Sequence, residues 1–543
     1  NSSPTGPYYF NEVYRDYIVV SPPLGSENPT LTLNIRDTAG TDLLPNTPYN
    51  VTVFSYVKPY DATGNNETTV NSAVYGNNTF NFVDETPGGL GSNSDSYQFV
   101  RPVPAPGPGN VVNSNPDTPP GGILTNYTWS VTLTVFTDAN SQIQLLQRAI
   151  REQSIPTDPQ RFQLDFPVIS GFEVNNDVVM YVGPNGGNWT TNSNWSPGPN
   201  GAAPAAPNGQ SAIANFFSSG NQTVTLDAPV TVGNLNFNAP SGTGTTIANP
   251  GSFAITLDSV KGPNASVAIA SRSGNHTVNA NVVFKDRSSC HVASGSSVIF
   301  TGDLTTATTT VTERTNNTVI DANLVLRLDK IGGGTLGFRS INGVPQVRVF
   351  GGRLRTSGGV SVVPSLTIGS NATLDLSGTS AWVVDYTGTS PLPTLQAWVL
   401  SGRNNGAWNG PGIASSTAAS NPQMAVGIGE ASALGVTTFP GTSVPVDSTA
   451  VLFRVTLGGD ANLDGAVDIS DFGRLAANFN QSGGWIDGDF DYSGSIGIGD
   501  FSLLASNFNL SLAAGLSRAA AVPEPAAGML IAASGLMLRR RRR

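Results

Sequence analysis

The chain has 543 residues, of which only 12% are charged, while Gly (61) and Pro (38) are abundant. Its net charge is −10, and setting aside the five Arg that close it leaves −15. This length predicts several domains, the turn-rich and charge-poor composition excludes a helical bundle, and the acidic excess gives no basis for binding nucleic acid or an anionic membrane surface by charge. An all-β chain is therefore expected, apart from two short helices near its end. A single cysteine, Cys290, excludes an intrachain disulfide framework. The chain begins with Asn1 rather than Met and shows no signal peptide, as expected where a precursor's start is missing or removed.

Residues 1–180 read as one β domain. Tyr17–Val20, Leu31–Ile35, Tyr49–Phe54, Trp129–Phe136 and Phe172–Val174 are strand-like, several with the apolar alternation of a half-buried strand. Gln142–Ile150 reads equally as helix or strand. The stretch Ser170-Gly-Phe-Glu-Val174 resembles the closing strand of a galactose-binding-type jelly roll, which implies a β-sandwich. Tyr8, Tyr9, Tyr56, Tyr60 and Tyr75 are candidates for a sugar-stacking platform. Core aromatics of a sandwich are the preferred reading, because aromatics dominate such cores.

From Gly183 the texture changes. Asn188-Trp-Thr-Thr-Asn-Ser-Asn194-Trp195 opens a run of very short strands separated by Gly, Asn and Ser. Examples are Val230–Phe237, Ala254–Leu257, Val282–Phe284, Val298–Phe300, Thr335–Phe338 and Ala372–Leu376. Such a rung cannot bury its apolar face alone, so stacked rungs must share one core. The Asn-Trp opening and Val232-Gly-Asn-Leu-Asn-Phe237 resemble the autotransporter-associated β-strand repeats of bacterial surface proteins. The resemblance implies a parallel β-helix over 184–395, with a pair of β-sandwiches as the alternative. Residues 396–457 are expected to connect and to cap its end, with Trp408 and Ile413 closing the open edge.

Two copies of one pattern follow, 29 residues apart. Asp460, Asn462, Asp464, Gly465, Asp468 and Asp471 stand at positions 1, 3, 5, 6, 9 and 12 of the first. Asp489, Asp491, Ser493, Gly494, Gly497 and Asp500 repeat them. Calcium takes six to eight hard oxygen ligands, and Gly at position 6 permits the turn that returns position 12 to the ion. After each loop an apolar stripe runs at helical spacing, Phe472, Leu475, Ala476, Phe479 and then Phe501, Leu504, Ala505, Phe508. Each stripe is expected to pack on its twin.

Residues 458–510 resemble a type I dockerin, the duplicated calcium module of cellulosomal enzymes. The resemblance implies that Asp460, Asn462, Asp464, Asp468, Asp471 and the Ala466 carbonyl hold one ion. Asp489, Asp491, Ser493, Asp500 and the Ser495 carbonyl would hold a second. The second site is expected to be the weaker, because Ser493 is neutral and Gly497 offers no side chain. A cohesin-like partner is also implied, although the Ser/Thr pair dockerins often place before position 12 is here Ile469-Ser470 and Ile498-Gly499.

Beyond a linker at 511–521, residues 522–543 contain Val522-Pro523-Glu524-Pro525, a 13-residue apolar run and Arg539–Arg543. A membrane span needs about 20 apolar residues, so the run is short, and basic residues at its end favour the cytoplasmic side. This order resembles the PEP-CTERM sorting signal of planctomycete-like and other exopolysaccharide-making Gram-negative bacteria. It implies an exosortase-type partner, transient anchoring in the inner membrane, and export to the cell surface.

Catalytic constellations are not legible. His276 and His291 lack an accompanying ligand set, and Cys290 and His291 are strand neighbours that face opposite ways. No nucleophile elbow, zinc helix or phosphate loop is present. Asp375 and Asp385 are acidic residues of the solenoid without a motif around them. The expectation is a calcium-stabilised, non-enzymatic surface or matrix protein associated with exopolysaccharide. A glycoside hydrolase, a polysaccharide lyase or a carbohydrate-binding adhesin carrying a dockerin is the alternative.

Overall fold

The computed structural model describes residues 178–512, except 198–201, 211, 259–266, 287, 307–309 and 316–317, together with eight strand backbones between Asp16 and Asn175. The chain is mostly β, with few and short helices.

The early strands form two antiparallel four-stranded sheets. One orders Asp16–Val20, Val168–Asn175, Pro48–Val57 and Thr128–Phe136. The other orders Thr30–Leu31, Gln144–Arg151, Gly76–Val83 and Ser96–Tyr97. The undecided segment around Gln142–Ile150 is thus strand from Gln144. Its apolar pairs, in place of strict alternation, make the period ambiguous in the sequence. Tyr8, Tyr9, Tyr60, Tyr75 and the side chain of Tyr56 lie outside the described residues.

From Met180 onward the chain winds through three large sheets of seven, nine and nine strands. Ile213–Phe217 enters the first, Gln222–Thr225 the second and Val230–Val232 the third. Asn234–Asn238 then returns to lie parallel beside Ile213–Phe217. Strands that join three sheets in rotation make the winding of a β-solenoid. The pitch is regular where no insertion intervenes: Leu328, Val347 and Leu366 stack in register, 19 residues apart. Burial alternates along Ser297–Phe300, Gln346–Val349 and Ser365–Ile368, as a strand with one face inside requires.

Stacking like residues on like makes the core continuous. Phe216 stacks on Phe237 with ring centroids 5.4 Å apart, and Phe300 on Phe338 at 5.1 Å. At the start, the Asn-Trp opening builds a plug. Trp189, Trp195 and Tyr181 cluster with Phe216, all buried. The indoles donate to the Pro207 and Trp189 carbonyls at 2.9 and 2.7 Å. Asn194 Nδ2 donates to the Asn188 carbonyl at 2.9 Å, tying the two Asn-Trp pairs together. The plug shields what would be an open end of the core.

Several charged groups inside the solenoid are paired by the protein itself. Lys330, with no exposure, donates to the carbonyls of Ile331, Gly332 and Gly351 at 2.8, 2.8 and 3.0 Å. Asp329 is held by Arg327 and, through two bonds of 2.6 Å, by Arg348. Asp375 lies fully buried between Arg353 and Arg355 at 3.0 and 2.9 Å and accepts from Ser416 N–H at 2.7 Å. It is a structural ion-pair centre. Asp385 is exposed, its carboxyl raised by burial and by Asp447. His276 accepts from Thr245 N–H at Nδ1 and faces the Ser273 carbonyl with Nε2, and burial lowers its pKa to about 4. His291 is likewise buried and lowered to about 3. Burial pushes the Cys290 thiol up, so all three are neutral core groups at physiological pH.

The far end changes hand. Gly412–Ala414 adds a last parallel strand to the second sheet, carrying the buried Ile413. The third sheet continues antiparallel: Ala381–Asp385 pairs with Ala450–Leu457, which pairs with Met424–Glu430. Trp408 is buried nearby and meets Tyr492 edge-on at 6.0 Å. The closing strands do more than cover the solenoid; they carry the next unit.

Candidate metal centre

Residues 460–512 form two loop–helix units related by the 29-residue repeat, and the backbone obeys the repeat atom by atom. Leu463 and Tyr492 at position 4 both take φ 61°. Gly465 and Gly494 at position 6 take φ 89° and 83°, where a side chain would be strained. The carboxylate at position 1 accepts the amides of positions 5 and 6: Asp460 from Asp464 and Gly465 at 3.1 and 2.9 Å, Asp489 from Ser493 and Gly494 at 2.9 and 3.0 Å. The carboxylate at position 12 accepts the amides of positions 2, 3 and 9. For Asp471 these are Ala461, Asn462 and Asp468 at 2.8, 3.1 and 2.8 Å. For Asp500 they are Phe490, Asp491 and Gly497 at 2.7, 3.0 and 2.8 Å.

Position 12 is also the third residue of the helix that follows, Ile469–Ala477 or Ile498–Asn507. Its carboxylate therefore closes the loop and satisfies the helix's start together. Each loop is pinned by the chain behind the other. Ala466 pairs with Ser511, and Ser495 with Ser482.

The predicted donors are not all gathered alike. In the second loop, Asp489, Asp491 and Asp500 bring one carboxylate oxygen each to within 4.8 Å of one another. Among the described residues this is the one such group of three. The Ser493 hydroxyl donates to the Ser495 carbonyl at 3.0 Å, so two further oxygens lie side by side. In the first loop, Asp460 and Asp471 are buried and Asp464 is exposed. Asn462 Nδ2 donates to Asp464 at 2.9 Å. Asp468 accepts the Ser470 amide and hydroxyl at 2.7 Å each, which lowers its pKa and spends it on capping the helix. The Ala466 amide donates to Asp464 at 2.8 Å, and its carbonyl stands at position 7.

Burial sets the electrostatics. It pushes Asp460 up to about 7 and Asp489 up to about 6, and it raises Asp471. Asp489, buried and accepting only amides, lacks a counter-charge, whereas Asp460 feels that of Arg454. The donor set, hard oxygens with three convergent carboxylates in the second loop, fits a hard divalent cation.

The helical stripes divide rather than pack wholly on each other. Leu475 and Leu504 are buried, while Ala476 and Ala505 are exposed. Phe472 and Phe501 touch edge-on at 6.3 Å but stay 36% and 38% exposed. Ile469 and Ile498, at the first turn of each helix, are 71% exposed. Leu475 packs against Gly488 and Leu504 against Gly459, while Leu463, Trp485 and Ile486 of the module meet the end of the solenoid. Gly427 and Gly429 alternate on one face of Met424–Glu430 and form its seat. A Cβ on Gly427 would stand 2.4 Å from Leu463 and 2.6 Å from the Trp485 indole, and one on Gly429 2.3 Å from Ile486. Trp485 Nε1 donates to the Asp460 carbonyl at 2.6 Å, and the Tyr492 hydroxyl to the Val426 carbonyl. Sequence reasoning missed this seat, although the Gly-Ile-Gly spacing in a strand is its trace.

No protein family, curated protein or solved structure matches this chain. Among the described residues no helix is long and apolar enough to cross a membrane. Val522, Pro523, Glu524, Pro525, the apolar run and the terminal Arg lie outside the described residues.

Proposed function

We propose that this chain is an exported, non-enzymatic surface or matrix protein whose dockerin-like module, 458–510, is stabilised by calcium at two loops. One observation carries the calcium reading: the loop's hydrogen-bond scheme recurs position for position 29 residues on, in two loops of different side chains. Calcium would be held by Asp460, Asn462, Asp464, Asp471 and the Ala466 carbonyl, and by Asp489, Asp491, Ser493, Asp500 and the Ser495 carbonyl. A bound ion supplies the counter-charge that the buried carboxylates lack. The solenoid serves as a spacer, and the early sheets as a jelly-roll-like sandwich that meets exopolysaccharide. The tail from Val522 is the signal that an exosortase-type enzyme reads.

A protein partner of cohesin type is a second reading for the module. Six large apolar residues stand exposed on it in 29-residue pairs: Ile469 and Ile498, Phe472 and Phe501, Phe479 and Phe508. A repeated apolar face of this kind supports docking of another surface.

Thermal unfolding of the full chain with calcium and with chelator tests the calcium reading. Calcium at about 100 times its dissociation constant is expected to add roughly 2.7 kcal/mol per site. Identical unfolding in both conditions sinks it. Intact-mass measurement on protein from its host tests the sorting reading: a mature surface form that keeps Arg539–Arg543 defeats it.

A further inference from the structure

We propose that Arg454, a residue outside the repeat, makes the two loops unequal: its guanidinium stands in for part of the charge of an ion in the first loop, so the second loop is the tighter calcium site. The inference rests on the calcium reading above and reverses the order that counting charged ligands suggests.

Arg454 belongs to the closing strand Ala450–Leu457 and is 8% exposed. Its Nη1 donates to the Leu463 carbonyl at 3.0 Å and to the Pro440 carbonyl at 3.3 Å. A Cβ built on Gly465 would stand 3.6 Å from the same nitrogen. The cation therefore lies against positions 4 to 6 of the first loop. Asp460 and Asp464 are the carboxylates whose charge acts on it. Its Nε is buried with no hydrogen-bond partner, and the guanidinium also lies over the Phe439 ring, 5.7 Å from its centroid. The same strand supplies Thr456, whose hydroxyl donates to Asp460 Oδ2. The first loop thus has a hydroxyl bonded to its position 1 and a guanidinium bonded to the carbonyl of its position 4.

At the second loop, among the described residues, no hydroxyl is bonded to Asp489, and the guanidinium found there, that of Arg403, lies over the Tyr492 ring 5.4 Å from its centroid and makes no ion pair with the loop's carboxylates. The residues 29 places on from Arg454 and Thr456 are Gly483 and Trp485. Asp489 accepts amides alone, and its carboxylate converges with those of Asp491 and Asp500. The first loop's apparent surplus of ligands is partly spent elsewhere, since Asp468 caps its helix. A unit positive charge in the same partly buried surroundings as a divalent ion repels it strongly enough to cost about tenfold in affinity or more.

Calorimetric titration of the full chain with calcium alone tests this. Two classes of site are expected, about tenfold or more apart. Asp464 and Asp491 are accessible loop positions, so Asp464→Asn and Asp491→Asn assign the classes without removing a buried group. Asp491→Asn should weaken the tighter class, and Asp464→Asn the weaker. Arg454→Met should tighten the weaker class about tenfold, and Arg454→Lys should leave it weak. Weakening of the tighter class by Asp464→Asn overturns the inference while the calcium reading stands, as does a folded Arg454→Met protein with unchanged affinities. Absence of any calcium binding overturns both. If Arg454→Met does not fold, the two loop variants still decide the order.

Discussion

The solenoid and the loop module both bury aspartates, and they neutralise them in opposite ways. Asp329 and Asp375 each sit between two arginines: parallel register sets Arg348 opposite Asp329 and Arg355 opposite Asp375, while Arg327 comes from Asp329's own strand and Arg353 from two residues before Arg355. Asp489 and Asp500 accept backbone amides and, among the described residues, have no cation bonded to them. A ladder of stacked rungs places side chains about 4.8 Å apart and so supplies its own partners. A tight loop points its carboxylates inward at one another and leaves the counter-charge to a ligand. A buried aspartate in this chain is thus paired where an arginine of the solenoid answers it, and is left able to take a metal ion where only amides do. The first loop lies between the two cases, because Arg454 reaches it from the closing strand.

The comparison can be broken most sharply at Asp329. Asp329→Ala leaves two arginines facing a buried gap and is expected to cost about 3–5 kcal/mol. The loss should be the same with calcium and with chelator, as read by denaturant unfolding. A loss that calcium repairs would mean that the two regions are not separate electrostatic systems.

Next in size is a pH effect confined to the module. Burial holds Asp460 near 7 and Asp489 near 6 in the folded, metal-free chain, against 3.8 ordinarily. Because the folded pKa is raised, the folded state binds more protons than the unfolded between these values. Metal-free stability is therefore greatest below about pH 4 as far as these groups go, and falls as pH rises toward 7. For Asp460 the span corresponds to at most about 4 kcal/mol. Thermal midpoints across pH 4 to 8 check this, and calcium should abolish or invert the slope. A metal-free midpoint that rises through this window would show the carboxylates are already charge-compensated.

The seat between the two regions comes third. Gly427→Ala drives a methyl into Leu463 and Trp485 and is expected to cost about 1–3 kcal/mol. Trp485 fluorescence should report the change, with the module's melting displaced and the solenoid's kept. A neutral substitution would mean the strand can shift to make room. Smallest is Phe501→Ala on the exposed face, expected within about 0.5 kcal/mol of the parent in stability. A larger loss would place Phe501 in the module's core rather than on a docking face.

Much of the site could be read without a structure because its chemistry is local. Positions 1 to 12 of each loop are consecutive residues, so spacing alone brings their oxygen side chains into one turn, which Gly465 and Gly494 announce. The short strands and their Gly/Asn turns likewise implied rungs that must stack. What stayed hidden came from residues distant in sequence. The stripe Phe472, Leu475, Phe479 gave the helix but not its partner, since periodicity says which residues share a face and not what covers it. Leu475 and Leu504 turned to the core while the phenylalanines stayed at the surface.

The sequence by itself thus determined the β character of the chain, the rung-like strands, the duplicated loops and the short helices, because each follows from the spacing of neighbouring residues. Only the tertiary structure decided which aspartates are answered by arginine, that Gly427 and Gly429 seat the module on the closing strands of the solenoid, and that Arg454 and Thr456 bond to the first loop while Arg403 meets the second only over the Tyr492 ring. Those outcomes depend on register between strands and on the docking of one unit against another. Neither is encoded in any single stretch, since each is fixed by packing between segments far apart in the chain.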